Sequence, residues 1–193
     1  LQYIIVKQSS NGSGEAFEMD TEGTTLFLSK PTVSNLTIIA DKQADDDNYI
    51  LHFKKSSGGF FHNTVVSVAE DNATPLNQCV RVNGSGSEAN VGTSLVLNNW
   101  IQDCAAGAGD RGTLSGSNVD LDNGTIYAVN ARLNANGASE APEAILSASV
   151  DWADVNAAYP ESVADVSWLQ PTRYMGAVNP TTNDAWWAGW TVE

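Results

Sequence analysis

Glu18, His52 and Arg81 are the residues whose types would do chemistry together. His52 follows Glu18 by 34 positions and Arg81 follows His52 by 29, and the same two steps lead from Asp20 to Lys54 and from Lys54 to Asn83. A carboxylate, an imidazole and a guanidinium in one column, beside a second carboxylate and an ammonium, are the ingredients of acid–base work on a polysaccharide. On that reading Glu18, His52 and Arg81 are candidate catalytic residues of a lyase or hydrolase. Asp20 and Lys54 are ligand-binding neighbours, and calcium offsets the charge of a uronate substrate. An outward ladder of alternating charge is also what an exposed sheet face needs for solubility alone. The first expectation is therefore a non-catalytic face, with the enzyme as the alternative.

The column exists only if the chain lays successive strands in register. One series of segments begins on a polar amide and continues β-branched or aromatic: Gln2-Tyr3-Ile4-Ile5-Val6, Asn35-Leu36-Thr37-Ile38-Ile39, Asn63-Thr64-Val65-Val66 and Asn99-Trp100-Ile101, with spacings of 33, 28 and 36. A second series lies between them: Ala16 to Asp20, Ile50 to Lys54 and Cys79 to Asn83. Both alternate apolar and polar residues with the strand period of two. Two strand types sharing one period of about 30 residues predict an all-β fold, a right-handed parallel β-helix or solenoid. An antiparallel sandwich explains the alternation but not the shared period. The register puts Phe17, Leu51 and Val80 in one inward column and Met19, Phe53 and Val82 in another. It lines Asn35, Asn63 and Asn99 into an inward amide ladder at a bend.

Five of the six tryptophans, Trp152, Trp168, Trp186, Trp187 and Trp190, fall in the last 42 residues. That clustering predicts strands over 1–138 and a Trp-rich capping segment of the same domain over 139–193. The expected role of the cluster is a plug over the open edge of the last strand. A sugar-stacking platform using Trp186 and Trp187 is the sharper alternative. Calcium is the one metal with candidate ligands, in the acidic loop of Asp41, Asp45, Asp46 and Asp47 and in the alternating Asn118, Asp120 and Asp122. A solvated acidic loop is the competing reading, so the cofactor expectation is none, or calcium. Cys79 and Cys104 fall in neighbouring repeats, close enough for a disulfide. Gly107 to Gly112 lacks the Lys-Ser/Thr and the helix of a phosphate loop.

Composition narrows the partners. Nine Lys and Arg against 23 Asp and Glu leave a net charge of −14, which excludes the basic patch that nucleic acid requires and repels anionic headgroups. Hydrophobic residues at 42% are enough for a packed core and argue against disorder. No run of about 18 apolar residues could span a bilayer. An acidic, Lys-poor chain rich in Asn, Thr and Gly, with one cysteine pair, points to an extracellular setting.

Leu1 to Gln8, Gly14-Glu15-Ala16, Pro31 to Ile39, Tyr174-Met175-Gly176-Ala177-Val178 and Trp186-Trp187-Ala188-Gly189-Trp190-Thr191 resemble a family of bacterial right-handed parallel β-helix surface proteins and lipoproteins of largely unknown function. The resemblance implies a C-terminal portion of a longer protein, an aromatic cap, and no established catalytic residue. Together these readings predict a surface-displayed or secreted bacterial module for binding or adhesion. Its expected partners are glycans or another surface protein, with self-association through an exposed strand edge.

Overall fold

The computed structural model describes residues 1–8, 14–22, 28–40, 49–68, 78–103, 126–128, 169–172, 174–179, 182 and 186. Within them the elements run β1 (Gln2–Lys7), β2 (Phe17–Thr21), β3 (Thr32–Ala40), β4 (Tyr49–Lys55), β5 (Gly59–Val68), β6 (Gln78–Asn83), α1 (Ser85–Asn90), β7 (Leu95–Asp103) and β8 (Ile126–Ala128). The strands form two sheets, ordered β1-β3-β5-β7-β8 and β2-β4-β6, with every pairing parallel.

The all-β, right-handed parallel β-helix expected from the repeat is corrected by this topology. The described residues make two parallel sheets with a helix in the connection from β6 to β7, an α/β-like arrangement. Among the described residues β8 is the next element after β7 and pairs with it in parallel. The helix lies between two of the repeated segments, Cys79 to Asn83 and Asn99 to Ile101. Gly84 takes φ 91, a left-handed conformation that turns the chain out of β6, and the Glu88 amide donates to Gly84 O at 3.0 Å to close the first turn. Glu88 then places its carboxylate at the positive end of the helix. Asn90 closes the other end by donating its side-chain amide to Ser56 O at 2.9 Å, which ties α1 to the turn after β4.

Inside the smaller sheet the strands pair as the alternation requires. Phe17 lies opposite Leu51 and Leu51 opposite Val80, and Met19, Phe53 and Val82 form the next inward column. Val33, Phe61 and Leu97 form the matching column of the larger sheet. Phe61 joins the two layers, meeting Phe53 edge-on with centroids 5.7 Å apart and Phe17 at 6.2 Å.

The larger sheet is bent. Tyr3, Asn35 and Asn63 occupy equivalent positions and all have left-handed backbones, with φ of 56, 53 and 54. One left-handed residue shifts the phase of the strand, so that Val33 and then Leu36 and Ile38 all reach the core. Asparagine tolerates this conformation because its short side chain bonds locally, whereas tyrosine rarely adopts it. The expected alignment of Gln2 with Asn35 is thus one residue out: Gln2 pairs with Ser34.

The C-terminal residues form a strap, residues 169–172 and 174–178, that crosses this bend. The contacts of these residues run to β1, β3 and β5. Gln2 and the Gln170 backbone exchange two hydrogen bonds of 2.7 and 2.9 Å. The Asn35 amide donates to Tyr174 O and Gly176 O, and the Asn63 amide donates to the Thr172 hydroxyl. The Gly176 amide donates to Asn63 O at 2.9 Å, and the Ala177 amide donates to Thr37 Oγ1 at 2.8 Å. Met175, Ala177 and Val178 are buried by the contact. Trp152, Trp168, Trp187 and Trp190 lie outside the described residues.

Two outcomes follow. Gly176 has φ +75 and a Cβ there would stand 2.6 Å from Thr37 Oγ1, while Gly14, at φ +99, has nothing within 4 Å. Gly176→Ala is expected to lower unfolding free energy by about 2 kcal/mol or more, and Gly14→Ala by about 1 kcal/mol; urea denaturation measures the difference, which reads the strap contact. The second outcome concerns His62, which is fully buried in β5, and burial lowers its pKa from 6.5 to about 4. The unfolded chain takes up a proton that the folded imidazole refuses, so this contribution is complete above pH 6.5 and is lost as pH falls toward 4. The loss amounts to about 3 kcal/mol, and His62→Gln should flatten that part of the stability–pH curve.

Candidate functional site

The outer side of the smaller sheet carries the column identified above. Glu18 lies opposite His52 and His52 opposite Arg81; Asp20 lies opposite Lys54 and Lys54 opposite Asn83. Parallel pairing brings these chemistries together because every second residue of β2, β4 and β6 emerges on one face.

The contacts bind the column to itself. Lys54 donates to the Glu18 carboxylate across the strands. This hydrogen bond holds the Glu18 carboxyl below its ordinary range and raises the Lys54 ammonium above its own. Lys55, at the end of β4, reaches Asp20 at 3.1 Å and Glu22 at 3.2 Å, and the bond to Asp20 followed by that to Glu22 raises the Lys55 pKa. The acidic row remains wet, with the Glu18 side chain 48% and the Glu22 side chain 85% exposed. These are solvated neutralising pairs, of the kind that contribute little to stability.

His52 behaves differently from its neighbours. Register places it in the outward column, yet it is only 4% exposed. Glu15, just before β2, and Asn83, at the end of β6, close over it. His52 Nδ1 donates to the Glu15 carboxylate at 2.8 Å, since an ionised carboxylate can only accept, and Nε2 meets Asn83 Oδ1 at 3.0 Å. The imidazole joins three strands as an internal clasp and does not face a substrate. Asn83 was legible as a member of the column. Glu15 was not, because it precedes the alternating segment and no period marks it.

Beside the strap, Trp186 is 46% exposed, and its indole N–H donates to Ala177 O at 2.9 Å. Half-buried Tyr174 sits on the same strap. Burial first, and then the charge and hydrogen bond of Tyr3, push its phenol up to about 12. Trp187, Asp41, Asp45, Asp46, Asp47, Asn118, Asp120 and Asp122 lie outside the described residues, as does Cys104, the expected partner of Cys79 in β6. Among the described residues no group of three or more His, Cys, Asp or Glu is placed to hold a metal ion. Among the same residues no helix is long and apolar enough to cross a membrane.

Comparison with protein-family models, with curated proteins and with solved structures finds no match to this chain. The functional reading therefore rests on the site alone.

The two kinds of contact on this face should separate on mutation. Replacing Lys54 with Met leaves the denaturation midpoint almost unmoved, because its partner is solvated. His52→Leu strands the Glu15 carboxylate and the Asn83 amide under cover and costs about 2–3 kcal/mol, read as a shift in the urea midpoint.

Proposed function

We propose that this chain is a non-catalytic binding or adhesion module, secreted or displayed on a bacterial surface, whose ligand is a glycan. The observation that supports it best is the mutual engagement of the acid–base candidates. A general acid must hold a proton near neutrality, and the Lys54 contact keeps Glu18 ionised. A general base must reach substrate, and His52 is enclosed between Glu15 and Asn83. The exposed carboxylates Glu18, Asp20 and Glu22 face lysines across a solvated sheet face. A face whose acids are paired in this way suits turnover poorly. Acidity and low lysine content support an extracellular setting.

The test pairs a glycan array with an assay for unsaturated uronate products, each with and without calcium. Retention on glycans with no product under either condition is the expected result. Product formation that disappears in Arg81→Ala would establish the lyase alternative and end the binding-only reading.

A further inference from the structure

We propose that Trp186 is a stacking platform for an uncharged pyranose, held in position by the strap through Thr37. The proposal rests on the glycan-binding reading above and adds the place of binding and the class of sugar.

Among the described residues the large hydrophobic side chains left exposed are Leu1 and Trp186. A surface tryptophan ordinarily turns its N–H to water and tucks its ring away. Trp186 gives its N–H to Ala177 O, a buried residue, while the residue as a whole stays 46% exposed. The one hydrogen-bond donor of the indole is thereby engaged, so exposure gains the ring no bond to water through it. The anchor is itself fixed. Ala177 donates its amide to Thr37 Oγ1, and the preceding Gly176 donates to Asn63 O. The line Thr37–Ala177–Trp186 thus ties the ring to the bent sheet. A ring oriented before the ligand arrives loses little side-chain freedom on binding, which is the advantage of a preorganised aromatic contact.

Charge selects the ligand. The face of an indole is the negative side of its quadrupole and attracts the C–H-bearing face of a sugar. A chain of net charge −14 repels uronates and sulfated glycans over the whole surface. An uncharged hexose polymer satisfies the ring without opposing the field. Trp186 thus meets the Tyr174–Val178 strap, which supplies its seat.

The experiment uses the full chain labelled with fluorotryptophan and observed by fluorine NMR, titrated with neutral gluco- and manno-oligosaccharides and, separately, with oligogalacturonate. The resonance missing from Trp186→Phe should shift and saturate with a neutral oligomer and stay still with the uronate. Trp186→Ala should weaken binding by about tenfold with its circular dichroism unchanged. Should that variant lose its fold, Trp186→Phe, which keeps a ring and drops the N–H, carries the test by binding more weakly than the parent. Thr37→Val should broaden the Trp186 resonance and weaken binding while the variant stays folded, which a purely structural threonine would not do. Uronate binding as tight as neutral binding overturns the proposal, and so does full affinity in Trp186→Ala. If glycans bind and Trp186→Ala is unaffected, only the placement fails. If the unaltered chain binds no glycan, the placement and the glycan reading fail together.

Discussion

Two asparagines that are both buried and left-handed set the terms for the larger sheet. A carboxamide removed from water must find partners or cost a substantial fraction of the fold's stability. Asn35 and Asn63 find theirs in the strap, more than a hundred residues away in sequence. The same left-handed backbone that buries them bends β3 and β5 and changes which side chains reach the core. Bend, core phase and strap are therefore one arrangement, and Trp186 takes its position from it.

The smaller sheet answers a different demand. With an excess of acidic residues, an exposed row of carboxylates needs cations beside it, and Lys54 and Lys55 are placed one strand away from Glu18, Asp20 and Glu22. The row that could have served as a catalytic apparatus is thereby neutralised. His52 joins Glu15 to Asn83 beneath it and secures the same three strands from within. Charge balance on the outer face and a buried clasp beneath it are thus two uses of one strand register.

The legible parts of this structure are those where one periodic signal decides the outcome. Phe17, Leu51 and Val80 could be aligned before any coordinates because a slip of one residue would turn every apolar side chain of the strand to solvent. The amide series gave a misaligned first strand because Gln2 resembles Asn35 chemically, while the bend is a matter of backbone and falls on Tyr3. The helix Ser85–Asn90 carries no apolar periodicity, and its start depends on one left-handed glycine. For the site, the column of Glu18, His52, Arg81, Asp20, Lys54 and Asn83 was legible from spacing. Its internal pairing was not, since whether Lys54 turns toward Glu18 or Asp20 is a choice of side-chain rotamer.

The sequence by itself determined the strand alternation, the parallel register of β2, β4 and β6 and the net charge of −14, because composition and a period of two act locally and additively. Only the tertiary structure decided that the strands form two sheets with a helix between β6 and β7. It alone enclosed His52, brought residues 169–172 and 174–178 to the bend, and left Trp186 partly exposed. Each of these depends on partners distant in the chain, and a hydrogen bond between distant residues leaves no periodic trace in either segment.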